Sequence, residues 1–220
     1  MLSIIVPSSR EELSLELQKE LQRVEELPDL EVICVSTDKA QSRAGRLNIG
    51  FHQSKGEMIL FHHPRSIVEV SGVKHLVSLS LDSNREALWG GFTHQFDNPH
   101  YLLKFTSWYS NQIRGWLRGI LYLDHCIYFD RRLWRQDLPD VEIFEDSILS
   151  QNFLKISKPH ILIFKSITSA IRFEKNGFWK QALLNQGLKL GFHLRFPHEL
   201  MNRLYEKNLG LNTKQPRKSK

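Results

Sequence analysis

The chain has few cysteines, no long apolar run and no glycine-rich nucleotide loop, and each absence excludes a class of protein. Its longest apolar runs fall well short of the roughly 20 residues that cross a bilayer, and the strand-like LSIIV follows the first methionine with no basic leader. The expectation is a soluble, cytoplasmic protein without a transmembrane segment. Only Cys34 and Cys126 occur, both inside strand-like apolar stretches and in no CxxC pair. They read as small buried hydrophobes in a reducing compartment, which argues against a zinc or iron–sulfur site. Nothing after Val6 resembles GxGxxG, so the dinucleotide-binding loop is missing. The net charge is +6, of which Lys214, Arg217, Lys218 and Lys220 in "KQPRKSK" supply four units. The remaining +2 gives no basic stripe of the kind a nucleic-acid binder needs. Residues 206–220 read as a solvated basic tail, with contact to an anionic surface as the lesser reading.

What the sequence does contain is a domain's worth of alternating elements. With 220 residues, 41% apolar and 25% charged, it suits one globular domain with a substantial core. Leu2 to Val6 form a short apolar strand. In "REELSLELQKELQRVEEL" the residues Leu13, Leu17, Leu21, Val24 and Leu27 recur every three or four positions, the stripe of an amphipathic helix that Ser8 or Ser9 could cap. "EVICV" is a second strand. A helix marked by Ala40, Ala44, Leu47 and Phe51 leads to a third strand, Glu57 to Phe61. Strands separated by helices imply parallel pairing with right-handed crossovers. A helix "VKHLVSLSL", a strand "ALWGGF", a polar aromatic stretch, a strand near "CIYFD", a helix opened by "FEDSILS", a strand "HILIF" and amphipathic helices from Phe178 to Tyr205 complete the order.

The stretch "EMILFHHPRS" concentrates the functional question. A strand apolar on both faces runs straight into His62, His63, Pro64 and Arg65. In α/β sheets ligands bind just beyond the carboxyl ends of strands.

The residues become specific when taken together. "SIIVPSSREE" resembles the opening of family 2 glycosyltransferases of the GT-A fold, commonly "SIIIPTLNEE". "RAGRLNIGFHQSKGEMILFHH", "WGGF", "GILYLDHCIYFDRRLW", "LPDVEIFEDSILS" and "SAIRFEKNGFWKQALLNQGLKL" extend the likeness. The set is similar to the bacterial subgroup of arsenosugar-biosynthesis or selenodomain-associated glycosyltransferases, where "MEDVELSRRL" and "SARRWEKNGVWR" stand in the corresponding places. The resemblance implies a single GT-A-like α/β domain over residues 1–205, with a mixed, mostly parallel sheet flanked by helices. Residues 1–70 would be the nucleotide-binding half, and 71–205 the acceptor half with C-terminal amphipathic helices.

The resemblance also implies roles. Asp146, with Glu145 beside it, matches the acidic pair that supplies the general base of inverting transferases; the same residues would also cap a helix. Glu11 stands where the family contacts the nucleoside, with Pro7 and Ser8 on the donor side; the acid that usually reads the nucleoside is absent or displaced to Asp38, and Arg43 and Asn48 lie on the helix flanking the donor. Arg172 and Lys175 match a late basic element near the pyrophosphate. Asp124 and His125 stand where the subgroup has "YGDQ" on the acceptor side. Trp89 offers a face for a sugar ring or a large core side chain.

One departure is chemical. Where the family carries an Asp-x-Asp-like signature, this chain reads His63-Pro64-Arg65. An arginine cannot ligate a hard cation. Arg65 could stabilise the leaving diphosphate in place of a metal, so no cofactor is required, although a divalent ion (Mn or Mg) held by His63 is the weaker alternative. The expected activity is transfer of a sugar from a nucleotide-sugar donor, UDP-linked as first choice, to a small or lipid-linked hydroxyl acceptor. The alternative is a degenerate domain that binds a nucleotide, sugar or protein partner without efficient transfer. Nucleic acid is not an expected partner. For the C-terminal helices, core packing or dimer contact in a homo-oligomer is set against peripheral membrane contact.

Overall fold

The computed structural model describes residues 1–206. The tail segment "KQPRKSK" lies outside the described residues. One seven-stranded sheet organises the chain: β1 (Leu2–Val6), β2 (Leu30–Cys34), β3 (Met58–Phe61), β4 (Ser66–Val68), β5 (Trp89–Phe96), β6 (Ile127–Asp130) and β7 (His160–Thr168), in the spatial order β2-β1-β3-β6-β5-β7-β4. β1 pairs parallel with β2 and β3, and β5 with β7. β6 is antiparallel to both β3 and β5, and β4 to β7. This is the mixed α/β domain with a helix-flanked sheet that the sequence implied.

Strand period explains the two cores. Leu2, Ile4 and Val6 face one side, against Leu17, Leu21 and Val24 of α1 (Leu15–Glu25) and Val73, Leu76 and Val77 of α3 (Val70–Leu81). Ile5 faces the other side, with Ala44, Leu47 and Phe51 of α2 (Arg43–Gln53) and Leu149 and Phe153 of α5 (Glu145–Leu154). At Gly50 of α2 a Cβ would fall 2.3 Å from Ile5 Cγ2, so the helix approaches β1 as closely as a glycine allows.

Local structure departs from the sequence reading in three places. α1 starts later than expected: Ser14, rather than Ser8 or Ser9, accepts from Leu17 N–H, and Arg10–Glu12 form a separate 3-10 turn. β4 was not anticipated, because three residues carry too little periodicity to register. It draws the His63–Arg65 turn against β7, where Ser169 N–H donates to Arg65 O at 3.0 Å. The polar aromatic stretch is helical: α4 (Tyr101–Trp108) continues as a π-helix over Tyr109–Leu117. The chain then closes with α6 (Ile171–Asn176), α7 (Phe178–His193) and α8 (His198–Glu206). Among the described residues no helix is long and apolar enough to cross a membrane.

Candidate active site

A pocket opens beyond the ends of β3, β5 and β7. His63 and Arg65 follow β3. Thr168 ends β7, and Arg172 opens α6. Asp124 comes from the turn before β6 and Asp146 from the first turn of α5, while α7 covers the space with Gln181, Asn185 and Lys189.

The acidic side is built on two backbone positions that side chains rarely adopt. Phe144, immediately before α5, has φ 69°, and Cys126, directly after Asp124 and His125, has φ 49°. Such conformations cost roughly 1–3 kcal/mol each and persist where surrounding structure fixes them. Here each one aims an acidic turn. Asp146 Oδ2 accepts from Leu123 N–H at 2.9 Å and lies 3.4 Å from the Arg43 guanidinium. Arg43 Nε also pairs with Glu145 Oε1. Burial, and then the Glu145 charge, push the Asp146 carboxyl up to about 6 against the pull of Arg43. Asp146 is thus more basic than an ordinary carboxylate, which suits a proton acceptor.

The opposite wall is cationic. Burial and the neighbouring Arg172 lower Arg65 to about 10, so it stays charged at neutral pH beside a like charge. Arg172 stacks over Tyr205 at 4.1 Å and pairs with Glu206 at 2.5 Å. His63 is held neutral: burial, then Arg65 and Arg43, press its titration well below normal. Its Nδ1 accepts from Arg65 N–H at 3.3 Å and meets Ser66 Oγ at 3.0 Å. With a guanidinium two residues on and no carboxylate in His63-Pro64-Arg65, the end of β3 offers none of the carboxylate oxygens that a hard divalent ion takes. Among the described residues no group of three or more His, Cys, Asp or Glu side chains is placed to hold a metal.

A third group, unforeseen in the sequence, surrounds Asp124. His94 Nε2 lies 3.7 Å from Asp124 Oδ2, and Arg114 lies 3.6 Å from Oδ1. Burial disfavours the charge on Asp124, yet His94 and Arg114 more than compensate and hold the carboxyl well below its usual range. Arg114 stacks over Tyr122, 3.5 Å from the ring centre. The π-helix makes this possible: Asn111 exchanges two 2.9 Å hydrogen bonds with the His94 backbone, and the wide turn brings Ser110 and Arg114 to one side. A register shift in the β5–β7 pairing between Phe92 and Thr93 re-aims His94. A bulge and a π turn have no residue signature that the sequence reading could use.

The remaining expected residues divide clearly. Arg43, His63, Arg65, Asp124, Asp146 and Arg172 line the pocket. Glu145 lies fully buried behind it as the partner of Arg43. His125 is also fully buried behind the wall, its Nδ1 on Phe92 O and its Nε2 on Ser110 Oγ, both at 2.9 Å, and burial lowers it to about 3. Acceptor contact by His125 is therefore corrected to support of the wall. Trp89 is likewise corrected: it is 0% exposed, packs on Phe153 and donates to Ser157 O at 2.9 Å, so it offers no face to a sugar. Pro7 O accepts from Arg46 Nε, and Ser8 donates to Glu12. Asn48 pins the backbone of Leu138 through two hydrogen bonds. Glu11, Asp38 and Lys175 are exposed and outside the pocket.

No protein-family model matches the chain, and no curated protein matches it. Solved structures do. S. aureus TarS residues 1–349 in complex with UDP align with a TM-score of 0.54 at 15% identity, over 77% of this chain and 60% of that one. The same fragment in complex with UDP-GlcNAc aligns with a TM-score of 0.58 at 15% identity, over 76% and 58%. The chain thus spans about three-fifths of the length of these structures. At this identity the likeness carries the fold.

Proposed function

We propose that the protein transfers a sugar from a nucleotide-sugar donor, UDP-linked as first choice, to a hydroxyl of a small or lipid-linked acceptor, with inversion and without a metal. The observation that carries this reading is the opposition inside one pocket of Asp146, a buried carboxyl raised above its ordinary range, and the cations Arg65 and Arg172. In the proposed step the acceptor oxygen attacks the anomeric carbon while its proton passes to Asp146. The bond from that carbon to the diphosphate oxygen breaks, and its electron pair leaves with the nucleotide. Arg65 and Arg172 meet the charge that gathers on the diphosphate, a role for which preorganised cations in a dry site are well suited. Asp124, held ionised by Arg114, is placed to accept from sugar hydroxyls. Binding of UDP and of UDP-GlcNAc by TarS, a protein of the same fold, agrees with a UDP donor.

One observation favours the second reading, a nucleotide- or sugar-binding domain without transfer: Arg43 locks both members of the acidic pair. The two readings separate in an assay of nucleotide release from a panel of UDP- and GDP-sugars, with wild type and Asp146→Asn. Transfer requires release by wild type that falls about 10²–10⁴-fold in the variant. Donor binding without release in either protein would establish the binding domain instead.

A further inference from the structure

The outer side of the helices that wall the pocket carries a feature that the pocket does not use. α4 and its π continuation turn Leu102, Leu103 and Ser107 inward. Tyr101, Phe105, Trp108 and Trp116 are left outward, 63, 59, 52 and 70% exposed. On α7, Trp179 and Leu183 lie one turn apart and are 60 and 71% exposed. The stripes adjoin, since the Tyr101 ring centre lies 6.3 Å from Trp179, and His100 stacks on Phe178 at 3.9 Å. A joined aromatic ridge on a folded surface marks an interaction site, whereas scattered exposed apolar residues do not.

Charge identifies the occupant. Residues 98–123 contain Lys104, Arg114 and Arg118 and no Asp or Glu, and residues 175–198 contain Lys175, Lys180, Lys189 and Arg195 and no Asp or Glu. Arg114 and Lys189 face the pocket, which leaves Lys104, Arg118, Lys175, Lys180 and Arg195 exposed on these segments, like the ridge. A second copy seated on this face would set like charges against each other. Tryptophan and tyrosine beside lysine and arginine, with Glu174 bonded to Asn98 as an acid at one edge, instead match the boundary of an anionic bilayer.

We propose that this ridge docks the protein on an anionic lipid surface. Ser110, Arg114, Gln181 and Lys189 of the same helices face the pocket, so docking brings the pocket to the bilayer. The inference rests on the surface alone and stands or falls separately from sugar transfer.

The test is flotation of the full chain with vesicles of phosphatidylcholine mixed with phosphatidylglycerol, and with phosphatidylcholine alone. Four proteins are compared: wild type, Phe105→Ser/Trp108→Ser/Trp179→Ser, Lys104→Glu/Lys180→Glu, and Leu15→Ser, a 75% exposed residue on α1. Circular dichroism and melting confirm that each is folded. Wild type and Leu15→Ser are expected to float with the mixed vesicles and to release at high salt. The triple variant should lose flotation, and the charge reversal should weaken it by about fivefold for each basic residue removed from the surface. Equal flotation of the triple variant, equal partition onto phosphatidylcholine alone, or a dimer that the triple variant dissolves while no protein floats would each overturn the proposal.

Discussion

The rim at the ends of β1 and β2 and the pocket beyond β3 and β7 were expected to form one donor site, yet they are built differently. At the rim, Ser8 is spent on Glu12, Pro7 O on Arg46, and Glu11 and Asp38 stand in solvent. In the pocket, buried charges from the β3–β4 turn, α5, α6 and the π-helix lie against one another, and Asp146, Arg65 and Asp124 all titrate away from their ordinary values. Opposed charges held away from water interact strongly with a ligand's own charge, whereas exposed ones are screened. The difference concentrates opposed charges in the pocket and leaves the rim residues bonded to their neighbours or exposed.

The widest separation should come from Asp146→Asn. Its removal of the proton acceptor is expected to lower transfer by about 10²–10⁴-fold while donor affinity stays within a few-fold, a split read by comparing turnover with titration. Next comes Arg65→Ala, expected to weaken UDP binding by about a hundredfold, against less than about fivefold for Glu11→Ala at the rim. Equal losses at both positions would merge the two regions again.

Acid dependence sharpens the contrast further. Asp146 must be ionised to accept a proton, so kcat/KM should fall as the pH drops through about 6. Glu145→Gln removes a negative neighbour and should move that limb to lower pH. Arg43→Gln removes the positive one and should move it higher, each by roughly one unit. A limb unmoved by either change would dismiss Asp146 as the titrating group.

A separate effect concerns stability. Burial lowers His62 to about 4, and both its ring nitrogens lack a hydrogen-bond partner. His125 is lowered to about 3 and His94 in the same direction, again by burial first. The unfolded chain binds these protons near the ordinary histidine range and the folded chain does not. Stability is therefore fully present above about pH 6.5 and is lost as pH falls toward those lower values, by about 1.4 kcal/mol per pH unit for each histidine. Guanidinium midpoints across this range should show the slope, and His62→Leu should reduce it by one histidine's share.

The contrast between rim and pocket also explains what the sequence could disclose. β1 and β3 are legible because strands buried on both faces must be apolar throughout, and α1 because its stripe repeats at helical spacing. Asp146, Arg65 and Arg172 are legible as motif residues flanking such elements. Trp89 and His125 mislead because residue type does not say which side of a strand or turn is turned toward solvent. His94, Arg114 and Tyr122 are unreadable because their meeting depends on the π turn at 109–117 and the register shift after Phe92, where the chain leaves both regular periods.

The central claim is that Arg65 takes the place of a metal at the diphosphate. Calorimetric titration of wild type and Arg65→Ala with UDP, in EDTA and with added Mn²⁺, tests it most directly. The account requires binding by wild type that persists in EDTA and is lost in Arg65→Ala. Binding by wild type only when Mn²⁺ is present, or undiminished binding by Arg65→Ala, would contradict it.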